Sequence, residues 1–198
     1  LARYLKLYEM ALERSGNADL GLYVGHICYF SGINLQLYMT TICRNLKEYF
    51  NVIPSTLRLR GDIGRVLIRP EGEFICLEWH PLNESMRHWR PLADEMLKLS
   101  ADIINGICAL PVPVRSAEFC YQAPEDKRGL RHAFGENLKF GCEVSCLYFS
   151  RDALHYPLVD LDFELGSDFQ VAPRAAFNEP EVEEPAGEEP TAAEAEEA

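Results

Sequence analysis

The run Leu57-Arg58-Leu59-Arg60-Gly61-Asp62-Ile63-Gly64-Arg65-Val66-Leu67-Ile68-Arg69-Pro70-Glu71-Gly72-Glu73-Phe74-Ile75-Cys76-Leu77-Glu78-Trp79 decides the fold class. Leu57-Arg58-Leu59-Arg60 alternates apolar and polar residues, as a half-buried strand does. Gly61-Asp62-Ile63-Gly64 is turn material, and Val66-Leu67-Ile68 is a second strand. Pro70-Glu71-Gly72 signals another turn, and Phe74 to Trp79 reads as a third strand. Short loops between consecutive strands predict an antiparallel meander.

The period changes on both sides of this run. Downstream, Pro91 is tolerated in a first helical turn, and Leu92, Met96, Leu99, Ile103 and Ile107 line one face of a long helix. Pro111 and Pro113 end it. Upstream, Leu1, Tyr4, Leu5, Tyr8 and Leu12 recur at spacings of three and four, which predicts an amphipathic helix that stops at Ser15-Gly16-Asn17. Asp19 is placed to cap a second helix carrying Leu22, Ile27 and Phe30, broken at Gly32. A third helix is predicted over 34–50, with Leu35, Tyr38, Met39, Ile42, Leu46 and Tyr49 along its stripe. Beyond the long helix, strands are predicted at Val114–Cys120, Leu138–Phe140 and Cys146–Phe149, with a polar loop or short helix over 121–131. The class is α+β: helices packed on a mostly antiparallel sheet, in a single domain over 1–165.

Residues 166–198 are different. The final 21 residues hold nine Glu and no Lys or Arg. Removing those nine charges from the formal −12 leaves −3 for residues 1–177. A Glu-, Pro- and Ala-rich stretch cannot bury enough apolar surface to offset its ordering entropy, so 166–198 is expected to be a disordered acidic tail. Neither part has the excess of Lys and Arg that gripping phosphates requires, which argues against direct nucleic-acid binding. Seven Cys, an odd number with no CxxC pair, favour a reducing, cytoplasmic compartment over secretion. No apolar run is long enough to span a bilayer.

Several constellations invite a chemical reading. Cys142-x3-Cys146, with His132 and His155 nearby, lacks the tight repeated pairs of a zinc site, and buried structural thiols explain it better. Cys76 and His80 are the right types for a thiol nucleophile and its base, yet Cys76 alternates with Phe74 as a core residue would. Arg58, Arg60, Arg65 and Arg69 alternate along two strands, as on a solvated sheet face. No phosphate-binding glycine loop occurs. Trp79, His80, His88 and Trp89 gather where the third strand exits and the long helix begins. Ordinary sheet-to-helix packing is the preferred explanation, and Trp79, His80 and Trp89 are the candidate ligand-binding residues should the region be a pocket. No catalytic residue, metal ligand or cofactor is assigned.

An ordered series of motifs resembles a known family. Leu20-Gly21-Leu22-Tyr23-Val24-Gly25 is similar to the Leu-Gly-Leu-x-x-Gly of the effector domain of AraC-type transcription regulators. Asn45-Leu46-Lys47-Glu48-Tyr49-Phe50, followed by Leu57-Arg58-Leu59, resembles that family's helix-then-strand segment. Phe134-Gly135-Glu136-Asn137-Leu138-Lys139-Phe140-Gly141-Cys142 is similar to its Phe-Gly-x-x-Val-x-Phe-Gly-Ala. Leu147-Tyr148-Phe149, Leu154, Pro157-Leu158 and Asp160 continue the order. The resemblance covers roughly residues 1–163. It implies a domain that senses a small-molecule effector and pairs as a homodimer. The family's helix-turn-helix units have no counterpart in the acidic residues after Leu165, and Leu1 opens directly on a helical pattern, so a truncated member or a fragment is expected. The alternatives are a small cysteine-dependent enzyme built on Cys76 and His80, or a non-functional remnant.

Overall fold

The computed structural model describes residues 2–57 and 63–159. Four helices lead: α1 (Ala2–Ser15), α2 (Leu20–Ser31), α3 (Ile33–Ile42) and α4 (Leu46–Leu57). A hairpin follows, β1 (Gly64–Glu71) and β2 (Phe74–Pro81), and then the long helix α5 (Arg90–Ile107). The chain closes with β3 (Ser116–Phe119), α6 (Arg128–Phe134), β4 (Leu138–Phe140), β5 (Ser145–Ser150) and a 3-10 turn, Arg151–His155. The five strands form one sheet in the order β1-β2-β5-β3-β4. All neighbours are antiparallel except β3 and β4, which run parallel and are joined through α6. The α+β class and the mostly antiparallel sheet are as the sequence predicts.

Period-two alternation sorts the sheet into two faces. Val66, Ile75, Leu77, Trp79, Ala117, Phe119, Leu147 and Phe149 point inward and are buried. Cys76, Glu78 and His80 alternate with them and face outward beside Arg65 and Arg69 of β1. Helix α5 lies against the inner face with Leu92, Met96, Leu99, Ile103 and Ile107 all buried. Helix α2 packs on the side of Asp94 and Glu95, and Ala93, Asp94, Glu95, Leu97, Ala101 and Ile104 are buried as well.

Four expectations need correction. The meander does not begin at Leu57: that residue closes α4, while Arg58, Leu59, Arg60, Gly61 and Asp62 lie outside the described residues. The second neighbour of β2 is instead β5, from far along the chain. The single helix over 34–50 is two, broken at Cys43-Arg44-Asn45. Asn45 accepts from the Glu48 amide at 3.0 Å, and Glu48 accepts from the Arg44 amide at 2.8 Å, so a reciprocal cap starts a new helix. Arg44 and Leu46 are then tied to the chain's later part, Leu158 donating to the Arg44 carbonyl and Leu46 to the Tyr156 carbonyl. Asp19 does not cap α2 with its side chain; its carboxylate takes Arg90 instead at 2.5 Å.

The fourth correction concerns α2, whose contact face is not Leu22, Ile27 and Phe30. Only Leu22 of these is buried; Ile27 and Phe30 are 64% and 57% exposed. The face is built on glycine. A Cβ on Gly21 would stand 2.3 Å from the Pro91 carbonyl oxygen, and one on Gly25 2.5 Å from that of Glu95. The two helices therefore meet backbone to backbone. The expected disordered tail, 166–198, lies outside the described residues. Gly135, at φ +87°, ends α6 in the left-handed region that glycine alone enters cheaply.

Candidate functional site: a cleft beside the central helix

A cleft of about 340 Å³ opens where the start of the hairpin, the end of α2 and the middle of α5 converge. This is within the size range of small-molecule sites. Tyr4 of α1, Cys28, Ser31 and Gly32 in the last turn and at the end of α2, Ile63 before β1 and Gly64 at its start, Trp79 of β2, and Glu95, Met96 and Leu99 of α5 line it. Its walls are mainly apolar, and the polar groups are few and specific. The far end of the Trp79 indole lies against Gly64, where a Cβ would fall 2.1 Å from the ring. Glycine is thus required for the indole to reach the cleft wall.

Glu95 is the chemically distinctive group. Its residue is only 3% exposed. The Tyr4 hydroxyl donates to the carboxylate, 2.6 Å from each oxygen. Burial pushes the Glu95 carboxyl above its ordinary range, while the Tyr4 and Tyr8 phenols pull the other way. Burial and the Glu95 bond push the Tyr4 phenol up too, keeping it a neutral donor. Behind it, Tyr8 stands edge-on to Tyr4 with centroids 5.6 Å apart, and edge-on to Trp89 at 5.3 Å.

The sequence-derived candidates are thereby separated. Trp79 lines the cleft. Trp89 is half-buried and precedes α5, one ring removed from Tyr4 through Tyr8. His80 is on the opposite face of β2 from Trp79, its Nε2 2.9 Å from Glu78 Oε2. The hollow that Trp79 and His80 do share, with Glu84, Arg87 and Ser145, measures about 60 Å³, room for little more than water. Sequence reading missed Tyr4 and Glu95. A signal existed for Glu95: it interrupts the apolar stripe between Leu92 and Leu99, where a charge needs a reason.

A second cleft of about 290 Å³ lies between α2, α5 and α6, lined by Asp19, Leu22, Tyr23, His26, Lys98 and His132 among others. Most of its charges are already matched. Asp19 holds Arg90, and Asp102 pairs with both His26 and Lys98. Among the described residues no group of three or more His, Cys, Asp or Glu is placed to hold a metal, and no helix is long and apolar enough to cross a membrane.

Cys76 and His80 do not meet. They sit four residues apart on one strand, roughly 13 Å along it, with Glu78 between them and bonded to His80. A hydrogen bond from Cys146 holds the Cys76 thiol below the ordinary thiol range, but Cys76 is 0% exposed. No disulfide joins any of the seven cysteines; Cys28 and Cys142 are half-buried and the other five buried. Titrating the native protein with an aromatic disulfide reagent should therefore label Cys28 and Cys142 first, with the remaining thiols released only on unfolding. Rapid labelling of Cys76 would bring the thiol-enzyme alternative back.

The solved structure of the transcriptional regulator CdpR from Pseudomonas aeruginosa shares this fold, with a TM-score of 0.62 at 14% identity over 79% of this chain. The chain spans about half of that regulator, 51% of its length. No curated protein matches the chain. Residues 1–158 match the arabinose-binding domain of AraC transcription regulators, the N-terminal part of those proteins, and the chain belongs to that family.

Proposed function

We propose that this chain is the effector-sensing domain of an AraC-type transcription regulator, acting in the cytoplasm, and that its effector occupies the cleft of Tyr4, Trp79 and Glu95. One observation carries the assignment: a metabolite-sized space between the covering helix and the sheet, apolar except for a few converging polar groups. Trp79 supplies the flat apolar wall. Trp89 backs Tyr4 through Tyr8, and His80 belongs to the outer face of the sheet. Because Tyr4, Trp79 and Glu95 come from α1, β2 and α5, a ligand that touches all three favours one relative placement of those elements. Differential affinity of this kind is what biases a conformational equilibrium. With −3 on residues 1–177, this body is read as the sensing part of a regulator and not as its DNA-gripping part.

Blocking the cleft tests the assignment. Ser31 is exposed at the end of α2, on the cleft's rim, so Ser31→Trp should fill the opening without disturbing the core. A defined metabolite library should contain compounds that raise the melting temperature of the wild type and not of Ser31→Trp. A ligand at a hundred times its Kd adds about 2.7 kcal/mol, well within reach of a thermal shift. Equal responses in the two proteins would remove the cleft from consideration.

A further inference from the structure

We propose that the ligand of this cleft is a small organic cation, an alkylammonium or alkylguanidinium, whose charge is met by Glu95. The inference rests on the reading of the cleft as the effector site and adds the chemical class.

The fold treats its other buried acids differently. Three acidic residues are buried among the described residues: Glu78, Asp94 and Glu95. Two of them have a guanidinium. Arg69 Nε lies 2.5 Å from Glu78, and Arg90 Nε 2.9 Å from Asp94. Glu95 is the exception. Its hydrogen-bond partner is the Tyr4 phenol, and no Lys, Arg or His among the described residues pairs with it. Phenols donate hydrogen bonds but no positive charge. A carboxylate buried without a cation is costly, and proteins keep such a group only where something offsets it.

What distinguishes Glu95 from the other two is its position: it lines an open cleft. Among the described residues lining that cleft, none is Lys, Arg or His. An anionic ligand would meet the carboxylate with nothing to neutralise it. A cation would supply the missing counter-charge. The rest of the lining suits such a ligand. The Trp79 indole and the Tyr4 ring offer π-faces that attract a cation, and Ile63, Met96 and Leu99 can cover an alkyl chain. The second cleft makes the contrast, since Lys98 lines it and the acid in its described lining, Asp19, is already paired with Arg90.

Four-carbon probes that differ only in their head group test this on the full chain. Binding of n-butylammonium, butylguanidinium, 1-butanol and butanoate is measured by calorimetry and by tryptophan fluorescence. The expected order is the two cations first, the alcohol at least tenfold weaker, and butanoate undetectable. Glu95→Gln, which keeps the shape and the bond from Tyr4, should weaken the cations tenfold or more and leave the alcohol unchanged. If that variant fails to fold, the order of the four probes on the wild type decides alone. Alcohol or carboxylate binding as tight as ammonium, with a fluorescence change that Ser31→Trp abolishes, would keep the cleft as the site and overturn the cationic class. Ammonium binding that Glu95→Gln leaves intact overturns the role of Glu95. No fluorescence response to any probe overturns both the class and the cleft.

Discussion

Gly25→Val should destabilise the domain by on the order of 3 kcal/mol, at the upper end of what forcing extra atoms into a packed contact costs. The first valine carbon would be 2.5 Å from the Glu95 carbonyl oxygen and 3.1 Å from the Lys98 side chain. The obstacle is backbone, so no rotamer avoids it; α2 must move off α5. For a body of this size the loss corresponds to a melting point lower by roughly 6–12 °C. Helix propensity acts in the opposite direction, because valine is a better helix former than glycine. A thermal melt followed by circular dichroism therefore separates the two effects by sign. Tyr23→Val, on the outward face of the same helix at 60% exposure, should change stability by no more than about 0.5 kcal/mol. Equal stability of Gly25→Val and wild type would mean that α2 and α5 do not meet backbone to backbone.

Arg90→Met should cost about as much or more, on the order of 3–5 kcal/mol, the usual penalty for stranding one member of a buried ion pair. Arg90 joins Asp19, before α2, to Asp94 on α5, and Asp94 also accepts from the Tyr121 hydroxyl. Asp94 is fully buried, and burial pushes its carboxyl up to about 7, against the pull of Tyr121 and Arg90. The pH dependence follows from that direction. Between about 4 and 7 the folded protein keeps a proton on Asp94 that the unfolded chain has released. Its contribution to stability is complete below the unfolded value and is lost as pH rises through about 7. Without Arg90 the carboxyl moves higher still. The deficit of Arg90→Met relative to wild type should therefore grow as pH rises above 7 and shrink toward pH 5, where both folded proteins hold the proton. Denaturant melts at pH 5, 7 and 9 measure it. A deficit that stays constant or widens toward acid would show that Arg90 does not compensate Asp94.

The hairpin and α5 were legible in the sequence because each obeys one period without interruption, and turn residues or prolines mark their ends. Legibility failed where a short polar signal outweighed hydrophobic spacing. Residues 34–50 carry a continuous helical stripe, yet Asn45 and Glu48 cap a fresh helix in its middle. In α2 the large side chains point to solvent, and Gly21 and Gly25 make the contact. A search for apolar side chains cannot see a face made of their absence. The same holds at the cleft. Trp79 was identifiable as an aromatic at a strand exit. Grouping it with His80 overlooked that adjacent strand residues point to opposite faces. Tyr4 and Glu95 are ninety-one positions apart, and only the packing of α1 against α5 brings them together. The motif resemblance carried the family; it gave no access to that long-range pair.

The most direct test is to locate a bound ligand. Protein labelled at the methionine methyls, the tryptophan indoles and the histidine rings gives resolved reporters on each cleft: Met96 and Trp79 for the cleft beside α5, His26 and His132 for the one between α2 and α6. Met10, Met39 and Met86 serve as internal references. On saturation with a compound that raises the melting temperature, the Met96 methyl and the Trp79 indole should shift most, with the two histidines and the other methionines nearly still. Shifts centred on His26 and His132, with Met96 and Trp79 unmoved, would place the effector in the other cleft and contradict a site at Tyr4, Trp79 and Glu95.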